Sequence, residues 1–414
     1  MLFYAKNFRG FGELRIDIEK NIFLVGDNSS GKTSIIYLLE YITRTDLNGL
    51  PILMSDFNVG KYDFFSPYFD HADVTIGFSA KEDDREIYRV ITLRKLKKAY
   101  SAAVIKSTSA SRNRSITLRE GEGIKEFSIV ERDDLTFDQV LEIHGDPNAV
   151  FTEYKDGFDR VPVNFPQSVL NAVGDDKDNF QDWVDISFAS PLPNCRHIGP
   201  MRAMPENFYQ MDRQFHSTGS HFAIMMRDVE SAPNKNKSKS SIRKFGKESG
   251  LFQDFKVKMV SASIGNPLLN VVVKKNSREF LINQVGIGVS QVAPILAETQ
   301  AFAHGIVSSS LILIEQPELH LHPIAQAALG EYLWEMTNFG LRFVIETHSD
   351  YLIDRYRAKI KENKGKNSAM ILYCTNGPDG NTASEVEIAD DGKLVGAPKS
   401  YHQFFLNEMG RTIF

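Results

Sequence analysis

Gly26-Asp27-Asn28-Ser29-Ser30-Gly31-Lys32-Thr33 reads G-x-x-x-x-G-K-T. Few strings restrict a fold more. The glycines let backbone N–H groups close around phosphate oxygens, and the pattern works only between a strand and a helix. Both flanks are present. Asn21-Ile22-Phe23-Leu24-Val25 is an apolar run of strand character, and Ser34-Ile35-Ile36-Tyr37-Leu38-Leu39 opens a helix. A plain glycine turn before a helix is the alternative, and the flanks weigh against it. The helix N-terminus adds a favourable dipole for anions. Lys32 is placed to reach the β- and γ-phosphates, and the Thr33 hydroxyl to bind Mg²⁺. Gly26, Asn28, Ser29, Ser30, Gly31, Lys32, Thr33 and Ser34 are the candidate nucleotide-binding residues.

Bulk properties exclude several classes. A net charge of −5 gives no global basic field for nucleic acid, although a local patch stays open. The two cysteines, Cys195 and Cys374, lack metal-ligand spacing, which argues against a disulfide scaffold or a zinc site. No apolar run approaches the ~18–20 residues of a membrane span. The N-terminal stretch has no signal-peptide form. These features predict a cytoplasmic protein with no membrane partner.

The chain alternates between two textures. Residues 2–18 read as two strands turning at Gly10-Phe11-Gly12, and residues 46–70 as loop. Runs at 74–78, 87–93, 102–105 and 115–118 are β-type and separated by charged turns. They predict an antiparallel meander inserted after the first helix. Residues 135–185 read as partly helical. Residues 235–247 (KNKSKSSIRKFGK) hold six Lys/Arg and no acid. That stretch reads as an exposed loop, either solvated or in contact with phosphates or an acidic protein. A second basic cluster, Arg94-Lys95-Leu96-Lys97-Lys98, ends a strand. After residue 251 come strands at 256–260 and 269–273, then alternating helices and strands (311–315, 323–337, 342–346, 349–358, 369–374). This predicts a largely parallel sheet with helices on both faces.

The second half of the chain supplies the partners a phosphate loop needs. Ser309-Ser310-Leu311-Ile312-Leu313-Ile314-Glu315 is an apolar strand ending in an acid, the Walker B form that holds Mg²⁺. It continues Gln316-Pro317-Glu318-Leu319-His320-Leu321-His322-Pro323. Phe343-Val344-Ile345-Glu346-Thr347-His348 is a second apolar strand ending in Thr-His. Val285-Gly286-Ile287-Gly288-Val289-Ser290-Gln291 is a glycine-rich turn opening a helix, with Pro294 read as lying in its first turn. His320 and His322 read as packing or capping residues, since their i,i+2 spacing lacks a second ligand cluster. His197 reads as structural.

This order of motifs resembles the ABC-type ATPases, in the non-transporter branch that includes SMC, RecF and OLD proteins. The phrase from Ile314 to Pro323 is similar to the acidic strand of bacterial OLD-like ATPases of antiphage defence systems, filed under the AAA name. Ile198-Gly199-Pro200-Met201-Arg202-Ala203-Met204-Pro205 is similar to their IGPxRxxP element, and the Asp390-Asp391-Gly392 turn and Phe404-Phe405 to their tail. The resemblance implies an α/β fold: an ABC-type P-loop ATPase head with an inserted antiparallel β lobe and a mixed helical insert, without coiled coil. The expected organisation is an N-terminal lobe (1–72), a β-meander with a partly helical segment (73–200), an insert with the basic loop (201–260) and a C-terminal lobe (261–414).

The resemblance also implies roles. ATP and Mg²⁺ are the cofactors, with Thr33 and Glu315 on the metal. Ser290 matches the signature serine that contacts ATP on a second copy, His348 the γ-phosphate-sensing switch, and Arg9, within Asn7–Phe11, an element near the nucleotide. Two copies close head to tail around ATP. Gln316 stands where a water-positioning glutamate is expected, so hydrolysis is expected to be slow. Glu318 either substitutes for that glutamate or serves as a helix N-terminal acid. The expected function is a sensor or switch subunit controlling a separately encoded effector, a nuclease, in antiphage defence. The alternative is a RecF-like ATPase of DNA repair using 235–247 on DNA. The stretch 349–414 is too short for the Toprim nuclease domain of OLD proteins, so no nuclease site is expected in these residues.

Overall fold

The computed structural model describes residues 1–44, 73–82, 85–95, 102–121, 124–154, 192, 195–233, 235–260 and 267–401. The loop reading at 46–70, most of the partly helical reading at 135–185, Phe404-Phe405 and Leu96 to Lys98 lie outside those residues.

In chain order the strands and helices are β1 (Leu2–Phe8), β2 (Phe11–Asp17), β3 (Asn21–Gly26), α1 (Lys32–Arg44), β4 (Val74–Glu82), β5 (Arg85–Lys95), β6 (Ala102–Ser111), β7 (Arg114–Gly121), β8 (Ile124–Glu131), α2 (Phe137–Gly145), β9 (Thr152–Tyr154) and β10 (Cys195–Ile198). They continue with α3 (Phe222–Ser231), α4 (Lys235–Ser249), β11 (Asp254–Val260), β12 (Leu268–Lys275), β13 (Arg278–Leu281), α5 (Ile287–Ala303), β14 (Leu311–Glu315), α6 (Pro323–Met336), β15 (Arg342–Glu346), α7 (Asp350–Glu362), β16 (Ala369–Gly377), β17 (Gly380–Ile388) and β18 (Leu394–Val395). The fold is α/β. The chain divides into two compact units.

The first unit comprises Met1–Glu19, Tyr37–Pro193 and Thr375–Thr382. Its strands run in the order β2-β1-β4-β5-β6-β7-β8-β9, every neighbouring pair antiparallel. The predicted meander is therefore present. Alternation explains it: Val74, Ile76, Phe78 and Ala80 are all buried, one residue apart. On the other face α2 packs Phe137 and Val140 against Tyr4, Tyr88, Val90 and Ala110. Thr136 starts α2 with a capping box shared with Gln139, worth about 1 kcal/mol. The last buried residue of that helix, His144, sits between Thr92 Oγ1 (2.8 Å from Nε2) and Thr108 Oγ1 (2.8 Å from Nδ1). Arg94, of the second basic cluster, forks onto Asp73 at 2.8 and 2.6 Å.

The second unit comprises Lys20–Ile36, Asn194–Cys374 and Ala383–Phe414. Five strands stand in the order β10-β14-β15-β3-β16, all parallel. Every residue of β3 and β14 is buried. That is why these strands read as unbroken apolar runs: helices cover both faces of a parallel sheet. Truncating Leu313, wholly buried in β14, to alanine would cost about 2–5 kcal/mol. Asn21 ties the strands together at their start, its Oδ1 accepting from the Phe343 N–H at 2.9 Å and its Nδ2 donating to the Tyr356 hydroxyl at 3.0 Å. A separate antiparallel sheet, β11-β12-β13, packs beneath α3.

Two expectations need correction here. Residues 235–247 are not a loop but most of α4. Ile242, Phe245 and Ser249 are buried at helical spacing, which anchors one face of an otherwise polar helix. Its cations are partly engaged: Arg243 forks onto Asp254 at 2.9 and 3.0 Å, and Lys244 binds Glu331 and Glu335. Pro294 lies not in the first turn of α5 but in its interior. It has no N–H to give the Ser290 carbonyl, and its ring sits where a Cβ on Gly219 would fall, 2.4 Å away.

Candidate nucleotide-binding site

The parallel order decides the site. β15 stands between β14 and β3, with Glu315 paired to Glu346 and Glu346 to Leu24. Two acidic strand ends therefore lie side by side, next to the loop that leaves β3. Ligands of open α/β sheets bind at this carboxyl edge.

The loop has the backbone its sequence demands. Gly26 (φ 144°), Ser29 (φ 63°) and Gly31 (φ 93°) all have positive φ. At Gly26 a side chain is also excluded sterically: a Cβ would lie 1.9 Å from the Cys374 carbonyl oxygen. Lys32 is buried, and its Nζ donates to the Gly26 carbonyl at 2.9 Å and the Asp27 carbonyl at 2.6 Å. Burial lowers its pKa, against the opposing pull of Glu346. Ser30 Oγ is buried without a hydrogen-bond partner. Asn28 and Ser29 are exposed at the tip, and Ser34 is buried in the first turn of α1. An ammonium that tops up its hydrogen bonds on the loop's own carbonyls, beside an orphaned hydroxyl, fits a phosphate.

Thr33 Oγ1 donates to Glu346 Oε2 at 2.8 Å. Glu346 is buried, and burial raises its pKa, with the Thr33 hydrogen bond opposing and the Glu315 charge adding to the rise. Glu315 is held from behind, its Oε1 lying 2.6 Å from His197 Nε2. Thr33, Glu315 and Glu346 are hard oxygen donors, the set Mg²⁺ takes when phosphates complete its shell. Among the described residues no three His, Cys, Asp or Glu form a metal cage of their own. The donor set fits Mg²⁺ held jointly with a nucleotide.

Glu318 is not a helix N-terminal acid, since α6 begins at Pro323. Its carboxylate turns back to the end of β15, accepting from the His348 N–H at 2.7 Å and Thr347 Oγ1 at 2.8 Å. Burial raises its pKa against those hydrogen bonds. Gln316 sits between, at φ 42°. His348 is half-buried. His322 caps α6 through the Ile324 N–H, as a capping residue should. Ser290 is in the first turn of α5, buried, its Oγ donating to the Ile287 carbonyl at 2.8 Å. Gly286 and Ile287, the start of that turn, are exposed. Arg9 belongs to the first unit, its guanidinium over the Phe8 and Tyr37 rings at 5.9 and 5.4 Å.

Sequence reasoning read His197 as structural, placed Arg202 in the IGPxRxxP element without a role of its own, and gave no role to Glu346. The one local signal was an acid directly before Thr-His on a buried strand.

A glycine loop after one parallel strand, with acids ending the next two, defines a P-loop nucleoside-triphosphate-binding domain. The chain belongs to the AAA ATPase domain family, which it matches over residues 3–165 and 207–353. No curated protein matches it by sequence. Among solved structures it is similar to an Smc head bound to the C-winged helix domain of ScpA, at 11% identity, 94% of this chain, 98% of that one and a TM-score of 0.45. It is similar to the SMC head domain from Thermotoga maritima, at 12% identity over 94% and 98% with a TM-score of 0.43. An Smc head domain with an extended coiled coil, bound to the C-terminal domain of ScpA derived from Pyrococcus furiosus, gives 11%, 99%, 98% and 0.39. No helix among the described residues is long and apolar enough to cross a membrane.

Proposed function

We propose that the chain is a slow, Mg²⁺-dependent ABC-type ATPase. Two copies close head to tail around ATP, and the closed state controls a separate effector protein, a nuclease, in bacterial antiphage defence. The observation that carries the hydrolase reading is the convergence of Thr33, Glu315 and Glu346 at one strand edge. Bound there, Mg²⁺ supplies charge neutralisation for the leaving phosphate. Lys32 grips the phosphates. Glu346 holds the Thr33 hydroxyl with its lone pairs free for the metal. His197 fixes one oxygen of Glu315 and leaves the other. Gln316 orients water without taking its proton, and Glu318 is the nearby carboxylate able to do so. His348, whose backbone is tied to Glu318, couples the third phosphate to the start of α7.

The switch reading follows from slow chemistry: a subunit that holds ATP for long intervals reports a state rather than driving a motor. The test is turnover of the full chain with Mg²⁺-ATP, beside Lys32→Ala and Glu318→Gln. Turnover lost in both variants supports the reading, and equal turnover in all three sinks it. The repair reading depends on 235–247 reaching DNA, and the ion pairs of Arg243 and Lys244 within the protein weaken that stretch as a phosphate contact.

A further inference from the structure

After β10 the chain crosses the end of β14 and brings Arg202 behind the Glu315–Gln316 peptide. The residue is only 7% exposed. Its Nη2 donates to the Glu315 carbonyl at 2.8 Å, and its Nη1 reaches the Gln316 carbonyl at 3.4 Å. Its Nε is buried without a partner. Burial pushes the guanidinium down to about 10, while the Glu318 and Glu315 carboxylates pull the other way.

Burying a guanidinium carries a heavy desolvation penalty unless its surroundings return it. Here it is applied to two successive carbonyls, and the backbone of the residue between them is strained. Gln316 has a left-handed backbone, uncommon for a residue with a Cβ and a long side chain. Two other bonds grip it: its N–H donates to the Glu346 carbonyl at 2.8 Å, and its carbonyl accepts from the Leu319 N–H at 3.2 Å. Arg202 closes the remaining side. The direction taken by the chain at Gln316 decides where the Gln316 amide points and where Glu318 arrives two residues later. Lysine does not copy this, because the guanidinium presents its donors from separate nitrogens in one rigid plane, whereas an ammonium is a single point on a flexible stem.

We propose that Arg202 is a positioning residue for hydrolysis, gripping the Glu315 and Gln316 carbonyls so that Gln316 and Glu318 face the attacking water. This rests on the hydrolase reading of the same site. On this proposal Arg202 acts through the Glu315 and Gln316 backbone, so its loss falls on the chemical step and not on binding.

The experiment is a double-mutant cycle on the full chain with Mg²⁺-ATP: wild type, Arg202→Lys, Gln316→Ala and the double variant, with kcat, KM and Tm measured for each. Arg202→Lys is expected to lower kcat ~10–100-fold with KM within about twofold and Tm within about 3 °C. The double variant is expected to be no slower than the slower single one, because both changes disable one device. Multiplied losses overturn the proposal, since Arg202 would then act elsewhere. A raised KM with unchanged kcat overturns it too, and makes Arg202 a binding residue. If Arg202→Lys is insoluble, Arg202→Gln takes its place in the cycle. Absence of wild-type turnover defeats the hydrolase reading and this inference together. Wild-type turnover that ignores Arg202→Lys defeats the inference alone.

Discussion

Thr33 Oγ1 donates a 2.8 Å hydrogen bond to Glu346 Oε2, joining the phosphate loop to the end of the neighbouring strand. A hydroxyl that gives its proton to a carboxylate keeps its lone pairs for another partner. Glu346→Gln keeps the shape and removes the charge. It is expected to lower kcat ~10–100-fold and to raise the Mg²⁺ concentration needed for half-maximal nucleotide binding. Titrating Mg²⁺ against binding of a fluorescent ATP analogue checks this. An unchanged Mg²⁺ midpoint removes Glu346 from the metal site.

In the proposed mechanism Glu318 and Gln316 are the two candidates for holding the attacking water. Glu318→Gln should lower turnover ~100-fold while ATP still binds. Gln316→Glu should raise turnover, by restoring a proton acceptor next to the Walker B acid. Steady-state phosphate release measures both. If Glu318→Gln is neutral, Glu318 serves only to hold Thr347 and His348.

Gly26 admits no side chain. Gly26→Ala drives a Cβ into the Cys374 carbonyl and forces φ 144° on an alanine. The expected result is a loss of more than about 2 kcal/mol of stability with nucleotide binding abolished. Thermal melts with and without Mg²⁺-ATP test it: the variant should show no ligand-induced rise in Tm.

Much of this was legible in the residues, and the reason is physical. β3, β14 and β15 are buried on both faces, so their runs are unbroken and their ends conspicuous. The meander alternates, so its strands were readable as well. The reading failed at α4, where Ile242 and Phe245 are the only large apolar anchors in a basic stretch and charge outweighed periodicity. It failed again at Pro294, whose depth in α5 depends on where that helix begins. The contacts of Glu346, His197 and Arg202 were missed for another cause. Their partners lie far away in sequence, and only the order β10-β14-β15-β3 brings them to Thr33, Glu315 and Gln316.

The β lobe has its own pH response. His144 is buried between two threonine hydroxyls, and burial pushes its pKa down to about 3. The unfolded chain takes up a proton below pH ~6.5 and the folded chain does not, so stability is whole above that value and falls as the pH drops toward 3. At pH 5 the loss is about 2 kcal/mol. His144→Gln should be less stable at pH 7 and should lack that slope. Denaturant melts between pH 5 and 8 decide, and equal slopes in both proteins would rule His144 out as the cause.

Sedimentation velocity of the full chain, with and without Mg²⁺-ATP, tests the central claim most directly. The shared-site account predicts a monomer without nucleotide and a dimer with it. Ser290→Arg should prevent the dimer, and so should Ile287→Arg, which changes an exposed residue of the same turn and leaves the core intact. An oligomeric state indifferent to nucleotide and to both substitutions would contradict it.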